Sequence, residues 1–136
     1  MSPYPTEEDN MTEAELPQPL ETFLRAWAAR DLDALVAHWS ENSQLIDPAD
    51  PVSGGEIVYG RKAMRAYYRK LWREIPDAAL SGVAAAVDDH GLAWLWRFTG
   101  STGGRPWSAA GASYFHLDEN GLILSDNAVW DSTVMG

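Results

Sequence analysis

Apolar positions along the chain repeat first with a helical period and later with a strand period. From Leu20 the set Leu20, Phe23, Leu24, Trp27 and Ala28 recurs every three or four residues, predicting an amphipathic helix that ends near Arg30. Asp31 is suited to cap a second helix with Leu32, Leu35, Val36 and Trp39 on its buried face. The segment "SENSQLIDP" carries a short apolar run into an Asp-Pro step. A loop rich in Pro, Gly and Asp follows, and "GEIVYG" offers a short strand within it. The clearest helix is "GRKAMRAYYRKLWREIP", which gathers Met64, Tyr67, Tyr68, Leu71, Trp72 and Ile75 on one face and stops at Pro76. Beyond Pro76 the pattern predicts strands over about 80–88, 92–100, 106–117 and 121–131, joined by the turn sequences "DDHG", "STGGRP" and "DENG". Three helices followed by a meander predict an α+β domain, with the helices packed on the concave face of a curved, mainly antiparallel sheet.

Alternation then sorts the strand residues by face. Trp94, Trp96 and Phe98 fall on one side of their strand, opposite Ala93, Leu95 and Arg97. In the next strand Trp107, Ala109, Gly111, Ser113 and Phe115 oppose Ser108, Ala110, Ala112, Tyr114 and His116, and the small residues of the first set read as space left open. In the last strand Leu122, Leu124, Asp126, Ala128 and Trp130 share a face. If that face is concave, Asp126 points into an aromatic cavity, and Asp47 reaches the same cavity from the other edge. A carboxyl group in an apolar pocket has its pKa raised, because its charged form is poorly solvated there, and this brings a proton acceptor or donor toward neutral pH. The expected wall of the cavity is Phe23, Trp27, Tyr67, Trp94, Trp96, Phe98, Trp107, Phe115, Ala128 and Trp130.

Composition narrows the chemistry. The chain has 136 residues, a length that suits one domain. It lacks cysteine, which removes disulfides and thiolate chemistry. Net charge is -10, from 20 acidic and 10 basic side chains, which disfavours nucleic acid and anionic membrane as partners. Six of those basic residues, Arg61, Lys62, Arg65, Arg69, Lys70 and Arg73, line the outer face of the third helix. Residues 1–16 are acidic and Pro-rich and read as a flexible tail, one that the basic helix face is placed to dock, leaving 17–136 as the folded domain. No segment is apolar enough to span a bilayer and the N-terminus has no export signal, so a cytoplasmic protein is expected. His38, His90 and His116 show no ligand spacing, and no glycine-rich phosphate loop precedes a helix. Neither metal nor cofactor is expected.

The segments "FLRAWAARDLDALVAHWSENSQLIDP", "YGRKAMRAYY", "GGRPW" and "SYFHLDENGLI" resemble the cone-shaped half-barrel of the nuclear transport factor 2-like superfamily, and within it the ketosteroid isomerases and SnoaL-like polyketide cyclases. The resemblance covers about residues 20–131. It implies an isomerase or cyclase without a cofactor, of the kind found in polyketide or other natural-product biosynthesis, and a homodimer formed through the convex sheet face. An isomerase of this kind uses an Asp base with a Tyr and a protonated Asp as oxyanion donors. By position the base falls on Asp47, while the two oxyanion positions hold Phe23 and Ser113. Tyr68 matches a supporting tyrosine, and Asp126 resembles the acid/base aspartate of the cyclases. The expected catalytic set is therefore Asp47, Asp126, Tyr68 and Ser113. The expected reaction is proton abstraction next to a carbonyl in a bulky, hydrophobic polyketide-, terpenoid- or steroid-like substrate. Epoxide hydrolysis, dehydration and pericyclic templating are the alternatives.

Overall fold

The first helix of the computed structural model, which describes residues 15–131, is α1 (Gln18–Ala29). It buries Leu20, Phe23, Ala26 and Trp27 and packs Leu24 against the core, so the expected stripe holds except that Ala26 is buried where Ala28 was expected. Arg30 ends it in the left-handed region at φ 54°. That conformation is costly without glycine. The Arg30 guanidinium compensates by donating to the carbonyls of Pro76 and Ala78 and lying 5.5 Å from the centre of the Trp72 ring.

Helix α2 is shorter than the pattern predicts and covers only Leu32–Val36, with the Asp31 carboxylate accepting the Ala34 N–H at 3.1 Å. Trp39 is not on it. This residue opens strand β1 (Trp39–Ile46), because the sheet captures the chain there: Ile123 N–H donates to His38 O at 2.7 Å and Trp39 pairs with Ile123. After the loop come β2 (Val58–Tyr59), then α3 (Gly60–Glu74), which buries Met64, Tyr68 and Leu71. The meander consists of β3 (Ala79–Val87), β4 (Gly91–Thr102), β5 (Arg105–Leu117) and β6 (Ile123–Asp131).

All six strands form one curved, unclosed sheet in the order β2-β1-β6-β5-β4-β3. Every pair is antiparallel except β1 with β6, which is parallel and sets Leu45 beside Asp126 and Ile46 beside Asn127. Alternation holds along β4 and β5, where Trp94, Trp96, Phe98, Ala109, Ser113 and Phe115 are buried. It slips at the start of β6. A register irregularity skips Leu124, so Ile123 takes the core position there and alternation resumes at Asp126.

Two glycines lie where an indole crosses the sheet. A Cβ on Gly111 would lie 2.3 Å from the Trp96 ring and 2.5 Å from Val129 O, and one on Gly100 would lie 2.9 Å from the Trp107 ring. The space that the small residues of β5 promised is thus filled at Gly111 by Trp96.

Candidate functional site

The helices and the concave sheet face enclose a cavity of about 90 Å³. Half of its eighteen lining residues are aromatic, and three are aspartates: Asp47, Asp50 and Asp126. Strand geometry explains the convergence. Asp47 follows directly on β1, two residues beyond Leu45, which pairs with Asp126, so both aspartates occupy inward positions of neighbouring strands.

The Asp47 carboxylate accepts the Trp130 indole N–H at 2.8 Å on each oxygen and the Ala49 N–H at 3.2 Å. Burial raises its pKa to about 6, with the Asp50 charge adding to the rise and the hydrogen bonds from Trp130 and Ala49 opposing it. Asp126 is 9% exposed, and its Oδ1 has no hydrogen-bond partner. Burial raises its pKa to about 7 against a lowering hydrogen bond from Ser113, and the charges of Asp47 and Asp50 push the same way as burial. Ser113 also accepts the Trp96 N–H at 3.1 Å.

Tyr68 is buried and accepts the Trp39 N–H at 3.2 Å, which leaves its own proton available inside the cavity. Its pKa is raised, first by burial and then by the charges of Asp126 and Asp50, so it is a neutral donor. Tyr67 donates to Asp50, whose other oxygen accepts the Val52 N–H at 2.7 Å and the Ser53 N–H at 3.3 Å. Lys70 Nζ adds a bond to Val52 O at 2.9 Å, so α3 holds this loop at two points.

Of the residues expected from the sequence, Asp47, Asp126, Tyr68, Ser113, Phe23, Trp27, Tyr67, Trp94, Trp96, Phe98, Ala128 and Trp130 do line the cavity. Phe115 and Trp107 do not. Phe115 is core, 5.2 Å from Phe23 and 5.4 Å from Trp94 between ring centres. Trp107 packs behind Phe98 at 5.2 Å and lines an adjoining outer groove of about 380 Å³, which shares Val52 and Trp130 with the inner cavity. Asp50 falls outside the expected set, as does Trp39 as a wall residue. A signal for Asp50 is present in "DPADPVS", where an aspartate precedes amides that its side chain can cap in a turn.

The basic face of α3 is partly engaged within the domain: Arg61 Nε donates to Trp39 O at 2.6 Å and Arg65 lies 2.8 Å from Asp33. The expected docking concerns the tail of residues 1–16, of which 1–14 lie outside the described residues, while Leu16 packs against the core beside Gly82. Among the described residues no helix is long and apolar enough to cross a membrane.

A curved six-stranded sheet holding helices and an aspartate-bearing cavity in its concave face defines an NTF2-like fold. Residues 20–125 match the model of the SnoaL-like domain, and the chain belongs to that family. Solved structures agree on the fold. An NTF2-like protein of unknown function from Burkholderia pseudomallei K96243 matches with a TM-score of 0.75 at 17% identity, covering 85% of this chain and 90% of that one. A protein with a ketosteroid isomerase-like fold from Catenulispora acidiphila DSM 44928, in complex with trimethylamine, matches at 0.75 and 16%, covering 87% and 88%. A Mycobacterium tuberculosis protein in complex with estradiol-17beta-hemisuccinate matches at 0.74 and 14%, covering 87% and 95%. A search of curated proteins gave no significant match.

Proposed function

We propose that this protein is a cofactor-independent acid/base isomerase or cyclase, with Asp47 as the base and Asp126 as its acid partner. The observation that carries the reading is the pair of buried carboxyl groups whose environments separate them. Asp47 is held by two N–H donors, which favour its ionised form, and Asp126 has an unpartnered oxygen, which favours its protonated form. Between its two titrations the pair carries one proton, and the hydrogen bonds to Asp47 favour placing it on Asp126.

In this reading Asp47 removes the proton next to a substrate carbonyl. The C–H electron pair becomes the carbon–carbon double bond, and the carbonyl oxygen takes the Asp126 proton, assisted by the Tyr68 hydroxyl. Delivery of the Asp47-held proton to another carbon, as the enol O–H returns its proton to Asp126 and the carbonyl re-forms, completes an isomerisation. In a ring closure the enol carbon attacks a second carbonyl of the same molecule, whose oxygen takes the Asp47-held proton while the enol proton returns to Asp126. The cavity admits a compact reacting end, and the outer groove between Trp107 and Trp130 suits the flat body of a larger substrate. The Catenulispora and Mycobacterium proteins, each in complex with a small molecule, support reading the cavity as a ligand site.

The test uses cyclohex-3-enone, whose isomerisation to the conjugated enone is followed by absorbance, together with exchange of its α-protons in heavy water. Both are expected to run faster than in buffer, and Asp47→Asn should slow them about 10²- to 10⁴-fold with the fold intact. Undiminished rates in that variant refute the role of Asp47.

Assembly belongs to the same reading. Ala84, Leu95, Ala112 and Val129 form one row of register partners across the convex face, with Leu95 50% and Val129 67% exposed. We infer that two sheets pair there, and Val129→Glu should shift sedimentation from dimer to monomer. A monomeric wild type at micromolar concentration excludes this.

A further inference from the structure

The chamber collects acidic groups with nothing basic in its wall. Asp47, Asp50 and Asp126 all belong to that wall, and no Lys, Arg or His is among its lining residues. Basic groups on the neighbouring elements are engaged elsewhere: Lys70 on the Val52 carbonyl and beside Glu74 at 4.0 Å, and Arg30 on the Pro76 and Ala78 carbonyls. Around the carboxyl groups stand Trp39, Trp94, Trp96, Trp130 and Tyr68, whose ring faces carry the negative end of the aromatic quadrupole. Such faces cannot solvate an anion, but they do attract a cation. Asp126 Oδ1, buried without a partner, adds an acceptor that nothing among the described residues satisfies.

We propose that the chamber selects a small organic cation, an ammonium or iminium group attached to the carbon skeleton that reacts. A neutral ligand would leave this charge uncompensated, and a developing enolate would face the carboxylates of Asp47 and Asp50. A cation cancels it and needs no oxyanion donor beyond Tyr68. The size agrees, because about 90 Å³ suits a compact substituted nitrogen and not a fused ring system. The inference rests on the reading above only in taking this chamber as the substrate site; it does not depend on proton transfer.

The test is calorimetry on the full chain at about pH 7 and physiological salt, comparing choline with its uncharged carbon isostere, which has a tert-butyl group in place of the trimethylammonium. Choline is expected to bind one to one and about tenfold or more tighter than the isostere. Asp126→Asn, which keeps shape and removes a carboxyl group, should narrow that preference severalfold. Equal or tighter binding of the isostere overturns the proposal, as does failure of choline to bind. Uptake of several cholines per chain also overturns it, since that marks attraction to the acidic exterior. Loss of choline preference in a protein that still isomerises cyclohex-3-enone would sink this inference alone. Choline preference without any Asp47-dependent proton exchange would sink only the acid/base reading.

Discussion

At the scale of single residues, the two buried aspartates oppose the stability of the fold. Asp126 has a folded pKa of about 7 against 3.8 when unfolded. The folded state therefore holds the extra proton between those values, and stability falls as pH rises through that window. Asp126→Asn should flatten the decline and leave the variant more stable than wild type at pH 8 by a few kcal/mol, since each tenfold change in proton affinity is worth about 1.4 kcal/mol. Urea unfolding at pH 4.5 and pH 8 measures both, and an unchanged pH slope would contradict the environment assigned to Asp126. On the proposed acid/base reading, activity should peak where the pair holds one proton, giving a bell with limbs near about pH 6 and about pH 7, read from kcat/KM. Gly111→Ala sets a methyl against the Trp96 ring and the Val129 carbonyl. It should cost about 1–3 kcal/mol and change the near-ultraviolet dichroism, as Trp96 leaves Ser113. Asp47 and Asp126 were legible in the sequence, one from its position after an apolar run and the other from strand alternation. Asp50 was legible only as a turn residue capping the amides of Val52 and Ser53, since its place in the cavity wall depends on Tyr67, a contact no periodicity encodes.

Elements were readable wherever one period ran unbroken. The third helix and the β4–β5 hairpin follow their patterns closely, and the paired aromatic face of Trp94, Trp96 and Phe98 lies where alternation puts it. Helix α2 and the start of β6 departed from expectation for one shared reason, since both adjust to the pairing of Trp39 with Ile123, a contact distant in sequence. The loop between β1 and β2 is the element most exposed to mutation. Tyr67→Phe removes the hydroxyl that α3 gives to Asp50. Amide hydrogen exchange at Val52 and Ser53 should quicken, and stability should drop by about 0.5–1.5 kcal/mol. Unchanged protection there would mean that Lys70 and the backbone turn suffice.

For the whole molecule, the excess of 20 acidic over 10 basic groups acts as a distributed repulsion. Raising salt from about 10 mM to about 500 mM should increase Tm by about a few degrees, because the Debye length contracts from about 30 Å to a few ångströms. A Tm that falls would show that local ion pairs, such as Arg65 with Asp33, outweigh it. The general architecture was visible from pattern and resemblance together, whereas the joining of β1 to β6 in parallel was not, since nothing local distinguishes a final strand that returns beside the first. That return has a temporal meaning. Trp130 meets Asp47 across 83 positions, and Asp126 arrives only with the last strand. As the ribosome extends the polypeptide, helices and the hairpins of the meander can form while still tethered, yet the acidic hollow does not exist until β6 has emerged. A chain stopped before Asp126 would keep most of the secondary structure encoded and lack the strand that closes the pocket.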